Sequence, residues 1–252
     1  PNDLVKFYPR GEKELRGPFH QFCSGDTIEW FEKHGVELKI EDDGRMFPVS
    51  NSSQTIIDCF LKATQKLGIA VLTGQSVQSI FKKENEWKIE TQSENYLAEK
   101  LILATGSRPF IPENAQLHLP GRFTVRRKED ADRLKKHLDS TNLPPEEQHV
   151  VIIGGGLLGL ELAAALKHKK VKITIIQRAS RLMERQLDRI SSKLLAEEVQ
   201  LRDIQIYFDN EVSTVFETDN SNEIEIALKS GRIITANAIV YTIGTIPNIE
   251  IA

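Results

Sequence analysis

Residues 149–159 read His-Val-Val-Ile-Ile-Gly-Gly-Gly-Leu-Leu-Gly, a short β-branched run closed by a Gly-x-Gly-x-x-Gly pattern. A run with no polar alternation reads as a strand buried on both faces. Leu160 to Lys169 is rich in Leu and Ala and reads as a buried helix. Residues 171–176, Val-Lys-Ile-Thr-Ile-Ile, read as a second strand. Strand, glycine turn, helix and strand predict a right-handed βαβ unit, and with it a layered α/β fold.

The glycine spacing has a chemical use at a helix start. A helix N-terminus leaves N–H groups unpaired and carries roughly half a positive charge, so it suits a phosphate. Gly154 is expected to make the tight turn, Gly156 to let a pyrophosphate approach the backbone, and Gly159 to let the helix pack closely. The pattern gains weight from the strand before it and the helix after it; its alternative is a tight turn with no ligand. An acidic residue about 20 positions after such a loop commonly holds the ribose of a dinucleotide. Here Gln177 stands at the end of the second strand, followed by Arg178 and Arg181. Gln177 can accept a ribose hydrogen bond, and the arginines read either as a 2′-phosphate site or as solvated charges. NADH and NADPH both stay open. Glu161 reads either as a first-turn carboxylate favoured by the dipole or as a group near the nicotinamide end.

An internal echo adds to this. Residues 76–109 and 211–247 each show a strand (Val77 answering Val212, Phe81 answering Phe216), a polar turn, an alternating strand and a second turn. Each copy ends in an apolar run closed by glycine and proline, Gly106 with Pro109 and Gly244 with Pro247. The expected unit is a β-meander feeding a core strand. Two similar nucleotide modules should carry two glycine loops, yet residues 1–75 contain none of this spacing. They show instead helices around Thr27 to Lys33 and Thr55 to Leu67, with a turn at Asp42-Asp43-Gly44. The first loop is expected to be missing or to lie before residue 1.

Between the halves, Asn142-Leu143-Pro144-Pro145-Glu146-Glu147 reads as a linker, preceded by an amphipathic surface helix from Lys128 to Leu138. A net charge of −3 carries no basic excess for nucleic acid or an anionic membrane. No apolar run reaches the ~18 residues of a membrane span, and Pro1-Asn2-Asp3 opens no signal pattern. The two cysteines, Cys23 and Cys59, are far apart, and the six histidines lack metal-ligand spacing. A reducing, cytoplasmic setting is expected. No nucleophile elbow or carboxylate pair stands out, so any reaction has to be carried by a cofactor. Gly44 to Pro48 reads as a turn and strand entry, Trp30 with Phe31 as helix packing, Trp87 as hairpin packing, and Cys59 as core.

Ala104-Thr105-Gly106-Ser107-Arg108-Pro109, Val151 to Glu161, and Ile243-Gly244 with Pro247-Asn248 resemble the pyridine-nucleotide domain of two-dinucleotide flavoproteins, the pyridine nucleotide-disulfide oxidoreductase superfamily. Leu182-Met183-Glu184-Arg185-Gln186-Leu187-Asp188 is similar to the FAD-containing large subunit of NAD(P)H nitrite reductase; this resemblance covers residues 104–252. Residues 1–106 resemble bacterial aminoacetone-oxidase-like FAD-binding proteins, through Phe7-Tyr8-Pro9-Arg10-Gly11-Glu12-Lys13-Glu14-Leu15, Phe31 to Glu37, and Gly44-Arg45-Met46-Phe47-Pro48. The two resemblances meet at Ala104-Thr105-Gly106, which implies a chimera of two related layouts.

The resemblance implies a Rossmann-like three-layer NAD(P)-binding domain with a β-meander over residues 111–252, next to a partial FAD-binding α/β domain over residues 1–110. It places Gly154, Gly155, Gly156, Leu157, Leu158, Gly159, Glu161, Gln177, Arg178, Val212 and Gly244 around NAD(P)H. Val77, Thr105, Gly106 and Arg108 are placed near FAD. The sequence departs from the family at Lys169-Lys170, where a glycine is usual; a lysine in a left-handed cap costs about 1 kcal/mol. The leading expectation is a flavin-dependent oxidoreductase, or a piece of one, passing hydride from NAD(P)H to FAD. The alternatives are an NAD(P)H-binding module without turnover, and a scaffold completed by a partner chain. The expected partners are dinucleotides, with no nucleic acid and no membrane; oligomer formation is left open. Weak or absent flavin retention by these 252 residues is the first testable expectation. It is checked by the absorbance spectrum of purified protein, and a stoichiometric flavin band contradicts it.

Overall fold

The computed structural model describes residues 2–8, 11–42, 44–220 and 222–251. Pro9 and Arg10 of the first-half motif, and Asp43 of the expected turn, lie outside the described residues. The chain divides into two compact units, residues 1–78 with 89–96, and residues 79–88 with 97–252.

In the first unit, α1 (Glu12–Gln21) and α2 (Ser24–Lys33) precede a hairpin of β1 (Leu38–Ile40) and β2 (Met46–Pro48), then α3 (Ser53–Lys66). Both helices expected here start earlier than their apolar positions suggested, because their caps do. The Cys23 N–H donates to Asp26 at 2.8 Å, and the Gln54 N–H donates to Ser52 Oγ at 3.3 Å. Trp30 stacks on Phe60 with centroids 5.5 Å apart, Phe31 meets the same ring edge-on, and Cys59 is buried, as expected. The first meander then follows as β3 (Val77–Lys83), β4 (Glu86–Thr91) and β5 (Asn95–Ala98), in that sheet order.

The second unit continues with β6 (Ser107–Pro109), β7 (Arg122–Thr124), α4 (Lys128–Ser140), β8 (His149–Ile153), α5 (Leu157–Lys167) and β9 (Lys172–Ile176). After these come α6 (Arg189–Leu201), β10 (Ile204–Tyr207), the meander β11 (Val212–Glu217), β12 (Ile224–Leu228) and β13 (Ile233–Ala236), then β14 (Ala238–Tyr241) and β15 (Thr245–Pro247). Five strands form a parallel sheet in the order β10-β9-β8-β14-β7. One face packs on helices: Leu134 and Leu138 of α4, Ala163 and Leu166 of α5 and Val199 of α6 join Val150, Ile152, Ile173, Ile175 and Val240 in one core. The other face packs on the meander, where Val215, Ile226 and Ile234 meet Val151, Ile153, Ile239 and Tyr241. Because consecutive strand residues point to opposite faces, the unbroken β-branched runs of β8 and β9 feed both cores. This is the expected three-layer α/β architecture.

Two expectations need correcting. The helix after the glycine loop begins at Leu157, three residues before Leu160, and ends at Lys167. The first meander does not feed a core strand: residues 101–106 form no strand, and Ile102 is 88% exposed. The equivalent run in the second copy, β14, is buried because β8 and β7 pair with both its edges; among the described residues no such sheet receives residues 101–104. The glycine–proline endings of the two copies instead pair with each other. Strands β6 and β15 run antiparallel, with Arg108 opposite Ile246.

The turn after α5 does not close differently despite the missing glycine: it places Lys170 at φ +66°, in the left-handed conformation. Lys170→Gly is expected to raise stability by about 1 kcal/mol, read from the denaturation midpoint. His149 is partly buried and hydrogen-bonded at both ring nitrogens. Its Nδ1–H donates to the Thr235 carbonyl at 2.8 Å, Nε2 accepts from Thr174 Oγ1 at 2.9 Å, and burial pushes its pKa below the ordinary histidine value. The unfolded chain therefore takes up this proton first. Stability is expected to fall as pH drops through about 6.5, with a shallower decline in His149→Gln.

Candidate functional site

Strand β8 occupies the middle of the parallel sheet, and the glycine loop leaves its C-terminal end. Gly154 turns at φ +108°, where any Cβ would stand 2.7 Å from the Thr242 carbonyl oxygen. A Cβ at Gly159 would stand 2.1 Å from the Gly154 carbonyl oxygen, so loop and helix touch backbone to backbone. Thr242, at the end of β14, closes the contact by donating from its Oγ1 to Ile153 O at 2.9 Å and Gly154 O at 3.2 Å. At Gly156 the space is open: a Cβ there would meet nothing within 4 Å. Gly156 is the N-cap of α5, and no side chain caps it. The first-turn N–H groups thus face open space at the positive end of the helix.

The loop is braced from behind. The Gly155 N–H donates to Gln177 Oε1 at 2.8 Å, and Gln177 Nε2 donates to the Arg181 carbonyl at 3.0 Å. Gln177 is 8% exposed. Its amide is thus committed at both ends to the protein's own backbone. Leu182, fully buried, has its Cδ2 where a Cβ on Gly155 would come within 2.4 Å. The Met183 N–H donates to the Gly155 carbonyl at 2.9 Å. Ser192 Oγ donates to the Leu182 carbonyl at 2.7 Å, and Asp188 caps α6 by accepting the Ser191 N–H at 2.7 Å. That cap holds the Asp188 carboxyl below the usual carboxylate range. The segment Leu182 to Asp188 is therefore the strut that holds the loop. Its placement was not readable from residue types: Met183 takes a left-handed conformation (φ +49°) and binds Gly155 through its N–H.

The remaining residues singled out by sequence fall in three places. Glu161 is exposed and is the fifth residue of α5, so it is not a first-turn carboxylate. Arg178 lies beside the loop brace, largely exposed, with Nε 3.9 Å from Glu211, a carboxylate also held by Lys229. Val212 opens β11 and its carbonyl accepts from Asn114 Nδ2 at 3.4 Å; Gly244 turns at φ +113° and its carbonyl accepts the Phe110 N–H at 2.9 Å. Thr105, Gly106 and Arg108 gather on Asn248. Thr105 Oγ1 donates to its carbonyl, the Gly106 carbonyl accepts its N–H at 3.0 Å, and Arg108 donates to its Oδ1 at 3.0 Å while pairing with Glu250. Val77 lies on β3 in the first unit.

A family model described as pyridine nucleotide-disulphide oxidoreductase matches residues 25–252. The chain belongs to that family. The match runs through the shared motif at residues 104–106. The assimilatory nitrate reductase electron transfer subunit of Bacillus subtilis is 30% identical over 188 residues, 74% of this chain and 23% of that protein. An NADH oxidase of Methanocaldococcus jannaschii is 25% identical over 187 residues, 73% of this chain and 40% of that protein. The chain therefore spans a quarter to two fifths of the length of these relatives. Among solved structures, an NAD-dependent persulfide reductase from A. fulgidus matches with TM-score 0.63 and 25% identity over 76% of this chain and 35% of that one. A ferredoxin reductase from Rhodopseudomonas palustris shares the fold, with TM-score 0.65 at 23% identity over 75% of this chain and 45% of that one.

Two glycine substitutions separate scaffold from site. Gly159→Ala is expected to cost about 3 kcal/mol of stability, because its methyl meets backbone. Gly156→Ala is expected to cost about 1 kcal/mol or less and to weaken dinucleotide binding roughly tenfold. Thermal melts and nucleotide titration of the two variants check this.

Proposed function

We propose that residues 111–252 form an NAD(P)-binding domain in which the pyrophosphate of NAD(P)H sits across the first turn of α5. The observation that carries this reading is the uncapped helix start at Gly156, open to solvent while the residues around it are packed backbone to backbone. The Leu157, Leu158 and Gly159 N–H groups bind the phosphates; Gln177, Leu182 and Met183 keep the loop in shape; Gly244 and Val212 border the site. The NADH oxidase and the NAD-dependent persulfide reductase among the chain's relatives support a nicotinamide cofactor. A bound nicotinamide would supply hydride chemistry, and the residues that would hold it are the first-turn amides of α5 with the brace behind them. The whole protein is then an NAD(P)H-dependent flavin oxidoreductase.

A second reading is nucleotide binding by this segment alone, without turnover. The sequence holds no second glycine loop. The apolar residues Ile69, Val71 and Leu72, like Ile102 and Leu103, stay exposed outside any strand. The described residues thus supply no phosphate cradle for FAD. The discriminating experiment follows NAD(P)H oxidation by an artificial electron acceptor, with and without added FAD, alongside direct nucleotide binding. Binding with FAD-dependent oxidation is expected under the first reading, binding alone under the second. Absence of binding by both NADH and NADPH contradicts both.

A further inference from the structure

The outer edge of strand β7 is open, and we propose that it receives an extended acidic segment of a second protein as an added strand of the parallel sheet. Among the described residues β7 pairs with β14 alone, at one end of the strand order. The Gly121 carbonyl accepts the Ile239 N–H at 2.8 Å and so points toward β14. Main-chain groups of successive strand residues point to alternate sides, so the N–H and C=O groups of Arg122 and Thr124 point outward, away from the sheet. A groove of about 460 Å³ runs along this edge. Residues 117–124 form one wall, and the face of α4 that carries Arg133, Lys136, His137 and Ser140 forms the other. The groove lies within the second unit, two strands away from β8 and its glycine loop. The inference therefore does not rest on the nucleotide reading.

Charge and polarity choose the occupant. No Asp or Glu lines the groove, while Arg122, Arg133 and Lys136 all do. Arg133 pairs with Asp130 at 2.6 Å. Lys136 has no such partner among the described residues. Arg122 is 4% exposed, and its guanidinium donates to the carbonyls of Pro120 and Val215, each at 3.2 Å, while its Nε meets no acceptor. A buried cation held by neutral groups leaves its field uncancelled at the edge. A small anion would meet the cations, but the outward carbonyls of Arg122 and Thr124 would gain no partner from it. An extended peptide answers both, its main chain pairing with the edge and its carboxylates reaching Arg133 and Lys136. The edge is already in position. The Arg122 and Thr124 side chains are buried, and Phe123 packs on the His137 ring with centroids 5.1 Å apart. The His137 Nε2–H donates in turn to the Asn237 carbonyl at 2.9 Å. Pairing with such an edge costs little ordering on this side.

The test titrates the full 252-residue chain into a labelled, end-blocked peptide of alternating Glu and Val, read by fluorescence anisotropy. Peptides of alternating Lys and Val, and of alternating Glu and Pro, serve as comparisons. The Glu–Val peptide is expected to bind, more weakly as salt is raised, and the Lys–Val peptide not to bind. The Glu–Pro peptide keeps the charge but loses strand N–H groups, and is expected to bind at least roughly tenfold more weakly. Arg133→Glu/Lys136→Glu is expected to weaken Glu–Val binding roughly tenfold, with a melting midpoint close to that of the natural chain. A readout that needs no variant is amide exchange, expected to slow at Arg122 and Thr124 when the Glu–Val peptide is added. Absence of Glu–Val binding, equal binding of the Glu–Pro peptide, or unslowed exchange at those two amides overturns strand addition. Displacement of the peptide by inorganic phosphate, but not by sodium chloride of the same ionic strength, assigns the groove to a small anion and also overturns it. Self-association of the chain that the charge reversal abolishes overturns it in favour of a second copy.

Discussion

The start of α5 lies closer to its own loop than any side chain permits. With 2.1 Å between a notional Gly159 Cβ and the Gly154 oxygen, the helix axis is fixed against the end of β8 by backbone contact alone. Everything at the site depends on that approach. It aims the helix N-terminus out of the centre of the sheet, and Thr242, just past β14, occupies the carbonyls of Ile153 and Gly154. It also leaves Gly155 exposed to collapse from behind, which the Gln177 amide and the Leu182 side chain prevent. Rigidity is what a phosphate cradle needs, since donors already in position cost little ordering when an anion arrives.

The parts of this unit that were legible in the sequence are those where one residue type has one physical use. His149 to Ile153 could be read as a doubly buried strand because past His149 neither face carries a polar residue, and it is one, with Val150, Val151 and Ile152 fully buried. The glycine roles were legible because only a missing Cβ allows such contacts. Less was visible where a residue's meaning depends on distant partners. Gln177 was marked by position as a substitute for an acid, but its use as a latch between Gly155 and Arg181 required the loop that brings them together. Leu182 to Asp188 was distinctive as a string, and only the structure makes it a strut.

The largest departure has the same origin. Residues 101–104, Leu-Ile-Leu-Ala, have the composition of a core strand and match β14 in the internal echo. Strand β14 is buried because two neighbours pair with it, whereas residues 101–104 form no strand and Ile102 stands in solvent. Composition specifies a preference for burial; pairing partners decide whether it is met. The echo had a consequence that sequence comparison of the copies did not suggest: their endings pair antiparallel as β6 and β15, with Asn248 binding Thr105, Gly106 and Arg108 together.

The central claim is that the dinucleotide lies on the open first turn of α5 while the brace behind it stays intact. Backbone amide chemical shifts of the chain, recorded as NADPH is added, test it most directly. The account predicts the largest shifts at Gly156, Leu157, Leu158 and Gly159, with the Gly155 amide still hydrogen-bonded and slow to exchange with solvent. Shifts concentrated away from this turn, or loss of the Gly155 protection on binding, would contradict it.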